Sequence, residues 1–211
     1  MKKIYLFILI LLFFNCDNSY NKEIELIDLV PTNPIFLVKY KSFKENDAKV
    51  FHKNFNSLLN SKSDSIYKKF LNKPVLISYH NIGKDEIQYV IYSDSQNVIT
   101  NSNIQDSLKY NGFMIKRIIN GNKEYYTAIK NEIYIESKSK LLVENSLRNS
   151  NHIHTEKSGD LKSLYNISNS NISLFISNNF SKYLKNYRLR KLFKTSDISD
   201  WMQFDIELNQ N

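Results

Sequence analysis

His152 and His154 stand one residue apart, a spacing that puts two imidazoles on the same side of a strand and suits a metal ion. Their neighbours Asn149, Ser150, Asn151 and Thr155 are loop formers, and the nearby carboxylates are Glu156 and Asp160. A polar loop is therefore the expected reading. His80 closes an expected strand and His52 lies on an expected helix. Neither has a nucleophile or an acid beside it, so each reads as a surface or hydrogen-bonded core histidine. Asp197, Asp200, Asp205 and Glu207 gather late in the chain. A two-metal nuclease needs several carboxylates converging on a metal pair. The earlier strands offer Lys, Tyr, Asn and Ser at their polar positions instead, which argues against that chemistry.

Other catalytic signatures are missing from the sequence. There is no G-x-S-x-G elbow and no H-E-x-x-H pair, and Gly83, Gly112, Gly121 and Gly159 cannot build a phosphate loop. A single cysteine excludes an internal disulfide framework and a thiolate zinc site. The sequence thus assigns no catalytic residue, no metal and no cofactor. Its best charged feature is basic. Lys182, Lys185, Arg188, Arg190, Lys191 and Lys194 crowd one stretch with no acid, interleaved with Tyr183, Tyr187 and Phe193. Such a patch could dock on anionic headgroups or another polyanion. The plainer reading is two amphipathic helices with lysine-rich polar faces. Nucleic acid is not expected as a partner, because the motifs of the known modules are absent.

The strongest signal lies at the N-terminus. Lys2 and Lys3 precede an unbroken apolar run from Ile4 to Phe14, followed by Asn15 and the sole cysteine, Cys16. A positive start followed by a short apolar core is the pattern of an export signal. As a helix the run reaches roughly 16 Å, about half the hydrocarbon thickness of a bilayer, which is short for a permanent span. Phe13-Phe14-Asn15-Cys16 resembles the signal end of a bacterial lipoprotein, with Phe14 and Asn15 where small residues usually stand. It is similar to the looser boxes of Bacteroidota lipoproteins, whose sequences share this chain's wealth of Asn, Lys, Ile and Tyr. The resemblance implies cleavage before Cys16 and diacylation of its thiol, and two acyl chains anchor a protein stably. The elements from Leu29-Val30-Pro31 to Val38, the strand meander with its helix, and Asp200-Trp201 to Asp205 also resemble the front of long uncharacterised envelope lipoproteins of that group. That family lends no activity.

The elements that would position any site follow from periodicity. The 211 residues are 42% hydrophobic and 24% charged, with a formal charge of +8, which is a globular composition. Residues 1–15 read as signal peptide, 16–23 as tether, and 24–211 as a folded body, either one unit or two similar sub-units near 24–110 and 111–211. Strands are expected at Ile35–Tyr40, Val75–Ile82, Ile87–Tyr92, Phe113–Ile119, Glu124–Ile129, Ile133–Ser137, Ile172–Ile176 and Trp201–Leu208. Helices are expected near 46–60, 63–71, 138–148 and 160–167, and as two short pieces across 178–194. Asn120-Gly121 and Asn131-Glu132 mark tight turns, and strands joined that closely must pair antiparallel. The expected class is α+β, an antiparallel sheet with helices packed mainly on one face. A closing strand at 201–208 either pairs at a sheet edge or leads into a longer protein.

These features predict a lipid-anchored cell-envelope protein without an evident catalytic site. It would sit in the outer membrane, face the periplasm or the cell surface, and bind a protein or glycan partner or serve a structural role. The alternatives are an envelope hydrolase with a cryptic site, or the N-terminal part of a larger lipoprotein.

Overall fold

The computed structural model describes residues 24–47, 49, 70–83, 86–95, 104–148, 156–184, 190–191 and 200–207. Nine strands form one sheet: β1 (Phe36–Tyr40), β2 (Val75–Asn81), β3 (Ile87–Asp94), β4 (Ile104–Tyr110), β5 (Phe113–Asn120), β6 (Lys123–Lys130), β7 (Ile133–Ser137), β8 (Ile172–Ser177) and β9 (Trp201–Ile206). Their order is β4-β5-β6-β7-β3-β2-β1-β8-β9, and every pairing is antiparallel.

Local chemistry sets the hairpins. Between β4 and β5 only Asn111 and Gly112 remain unpaired, at φ 49° and 86°. Between β6 and β7 the turn is Asn131-Glu132, at φ 48° and 61°. Two consecutive left-handed residues match the right-handed twist of the flanking strands, which is why Asn and Gly serve there. The Asn120-Gly121 signal also holds: β5 ends at Asn120, β6 starts at Lys123, and Gly121 has φ 59°.

The expected α+β layering is corrected. The body is an open, strand-dominated antiparallel sheet, and among the described residues its helices are too few and too short to make a layer. The physical reason lies in the central strands. In β2 the first six residues are buried, and in β8 all six are, so these strands hide both faces instead of alternating. A further strand, β4, has the sequence IQDSLKY and is mostly exposed. Its apolar residues Ile104, Leu108 and Tyr110 alternate along the sequence, but Asp106 interrupts them, and no strand was expected here. Two described α-helices remain: α1 (Lys140–Arg148) and α2 (Glu156–Ile167). Of the expected helix at 46–60, residues 45–47 and 49 are helical, and the rest falls outside the described residues, as does most of 63–71. Asn178–Tyr183 is a 3-10 segment, and Arg190 and Lys191 are helical.

Two apolar clusters flank the sheet. On one face Leu37, Leu76, Tyr92 and Phe175 meet Val143 and Leu147 of α1, Leu161 of α2, and Ile27 and Leu29 of a 3-10 turn at Leu26–Leu29. On the other, Phe36 stacks on Tyr79 with ring centroids 4.1 Å apart and meets Phe180 edge-on at 5.5 Å. Each such buried aromatic contributes roughly 1.5–3 kcal/mol by leaving water. No described helix is long and apolar enough to cross a membrane. β9 pairs with β8 at one end of the strand order, and its Phe204 is 41% exposed.

Candidate functional site

A cleft of about 880 Å³ opens where β1 begins and β2 and β8 end. Strand ends and turns build its rim. Pro31-Thr32-Asn33-Pro34 leads into β1, with Asn33 at φ 59°, and the flanking prolines hold this approach rigid. Asn81 closes β2. Asn178 and Asn179 open the 3-10 segment that follows β8, and that segment also supplies Lys182 and Tyr183. Asp200 and Trp201 begin β9.

The floor and rim differ in character. Ile27, Val30, Ile35, Leu161 and Trp201 are buried beneath the cleft. Asn33, Asn81, Asn179, Thr32 and Lys182 are exposed around it. The side chains brace each other: Asn178 Nδ2 donates to Asp200 Oδ1 at 2.9 Å, and Lys182 Nζ donates to Asn179 Oδ1 at 2.8 Å. The backbone beneath is already paired. Ile35 N donates to Tyr79 O at 2.8 Å, Ser177 N to Ile35 O at 3.1 Å, and Asn178 N to Asp200 O at 3.0 Å. Recognition in the cleft therefore falls to side-chain amides, hydroxyls and aromatic faces over an apolar base, which is the make-up of a small-molecule site.

The sequence-flagged residues are scattered. Cys16, His52, His152, His154, Lys185, Arg188, Lys194 and Asp197 lie outside the described residues. Of the basic patch, Lys182 reaches the cleft and Lys191 is exposed. Arg190 turns back on the chain, its Nε and Nη2 donating to Leu184 O at 3.1 and 2.7 Å. The late acids do not converge. Asp200 lines the cleft, while Asp205 accepts hydrogen bonds from Ser173 Oγ at 2.8 Å and Gln203 Nε2 at 3.0 Å, which hold its carboxyl below the usual range. Glu207 lies exposed just past β9. Among the described residues no three His, Cys, Asp or Glu gather closely enough to hold a metal.

His80 has a neighbour that sequence spacing alone did not reveal as a partner. Its Nε2 shares a hydrogen bond with Ser78 Oγ at 2.9 Å, the two projecting from the same face of β2. Ser78 also bonds the hydroxyl of Tyr92, which shares a 2.8 Å hydrogen bond with Ser146 Oγ of α1. A serine next to a histidine invites a nucleophile–base reading, but the surroundings oppose it. Ser78 and His80 are both buried, and desolvation holds the imidazole pKa at about 3, far too low for a base at neutral pH. The string joins sheet to helix.

Sequence reasoning missed Asn33, Asn81, Asn178, Asn179 and Trp201 as a group. The available signal was weak: turn residues at strand ends, with no fixed spacing between them. Against known protein families, curated proteins and solved structures, the chain finds no match.

Proposed function

We propose that this chain is a lipid-anchored cell-envelope protein that binds a ligand and is not an enzyme. The observation that carries the anchoring is the apolar run Ile4–Phe14 closing on the sole cysteine, Cys16. Fat on that thiol ties the body to a bilayer, and the tether 16–23 leaves the sheet free to meet partners beyond the headgroups. The cleft at the start of β1 and the ends of β2 and β8 supports the binding half of the reading: its rim has groups to recognise a ligand.

The test is the mature N-terminus. Wild type and Cys16→Ser are expressed in a bacterial host, labelled with palmitate and partitioned in detergent. The expected result is acylated wild type in the detergent phase, starting at Cys16, and an unacylated variant in the aqueous phase. A wild-type chain that begins at Met1, or that carries no acyl mass, overturns the reading.

A further inference from the structure

We infer that the cleft is a saccharide site that takes a neutral oligosaccharide. The inference rests on the binding reading above and names the ligand class for that same cleft. It joins side-chain chemistry, charge and backbone pairing at one place.

A sugar presents vicinal hydroxyls at its edge and C–H groups on its face. Its edge is met best by groups that donate and accept side by side, and the asparagine amide is such a group. Asn33, Asn81, Asn178 and Asn179 bring four of them to one cleft, each from a different strand end or turn, except the adjacent pair after β8; Asp200, Lys182 and Gly83 N each hold one amide atom of Asn178, Asn179 and Asn81 and so orient these side chains. Its apolar face is met by aromatic rings, and two belong to the lining: Tyr183, half-buried, and Trp201, buried in the floor. The cleft volume, about 880 Å³, falls within the range of small-molecule sites, about 300–1,000 Å³.

Other ligand classes fit less well. Among the described residues the lining carries two charges, Lys182 and Asp200, and they cancel, so the described lining does not favour a phosphate or a carboxylate. Lys182 is further engaged by Asn179 Oδ1. A purely apolar guest would strip water from the amide rim with no bond in return. A peptide adding a strand needs open ladder positions, but Ile35, Ser177 and Asn178 spend their backbone N–H groups within the protein.

The chain has one tryptophan, and it lies in this cleft, so its emission reports on the site directly. Full-length protein in mild detergent is titrated with neutral hexasaccharides built on glucose, mannose and N-acetylglucosamine, and separately with inorganic phosphate. The expected result is a saturable change in Trp201 emission with at least one hexasaccharide. Asn81→Ala combined with Asn179→Ala, both exposed rim positions, weakens it at least tenfold with unchanged circular dichroism and melting. The inference is overturned if no hexasaccharide moves the emission up to about 10 mM, a concentration that reveals even weak binding. It is equally overturned if phosphate alone does so, or if the folded double variant binds as wild type. Cys16→Ser is titrated alongside. Equal sugar binding by this variant shows that the site acts without the anchor, so loss of acylation and loss of binding are read separately.

Discussion

His80 shows how one buried side chain sets acid sensitivity. In the folded chain its imidazole is held neutral down to about pH 3, whereas an unfolded histidine titrates near its ordinary value of 6.5. Between these values the unfolded state binds a proton that the folded state refuses, so stability falls as pH drops below 6.5. At about 1.4 kcal/mol per pH unit, the loss by pH 5 is about 2 kcal/mol. Urea unfolding of wild type and His80→Gln at pH 7 and pH 5 tests this, because glutamine does not titrate. Wild type is expected to lose about 2 kcal/mol more than the variant. Equal losses would remove His80 as the cause. The sequence placed His80 at a strand end but could not tell a solvated histidine from a sealed one. That depends on Ser78 beside it and on α1 above, which arrives from far along the chain.

At the scale of elements, helix α2 depends on a lysine in the sheet. Lys39 of β1 donates from Nζ to Tyr165 O at 2.8 Å, to Ser168 O at 3.1 Å and to Ser168 Oγ at 2.8 Å, and it sits 4.1 Å from the centre of the Tyr165 ring. A cation at the last carbonyls of a helix satisfies acceptors the helix cannot and opposes its dipole. At the other side of α2, Lys162 meets Asp28 of the Leu26–Leu29 turn and lies 3.2 Å from Glu25. Burial pushes its ammonium down, but those acids outweigh burial and raise it. Lys39→Met keeps the aliphatic stem and removes the bonds. It should cost about 2 kcal/mol and lower the melting temperature by about 6 °C, with earlier proteolysis in α2. An unchanged melting curve would show that the latch contributes nothing. Most strands were legible, since turn residues bracketed runs of β-formers. β4 was not: it is a mostly exposed edge strand in which Leu108 and Tyr110 meet the core, and Gln105, Asp106, Ser107 and Lys109 mask that short alternation.

Across the whole molecule, burial predicts a gradient of rigidity. β1, β2 and β8 are covered on both faces, whereas β4 is largely exposed at one end of the strand order. Native-state hydrogen exchange should therefore be slowest in β1, β2 and β8 and fastest in β4. Uniform protection across all nine strands would contradict this. The strand order itself was beyond the sequence. Hairpins follow from local turns, but the contacts of β3 with β7 and of β1 with β8 bring remote segments together, and no residue pattern announces them. The cleft was hidden for the same reason. Its amides come from residues 33, 81, 178 and 179, which become neighbours only once those remote pairings form.

The leading strand has a cost in time. β1 emerges early from the ribosome, yet one of its two neighbours is β8, and Ser177 Oγ reaches Ile35 O across 142 residues. Hairpins can zip within microseconds, but the centre of the sheet must wait for β8, and long-range closure of this kind is slow. Until then the apolar rows of β1 stay open to solvent or to a chaperone.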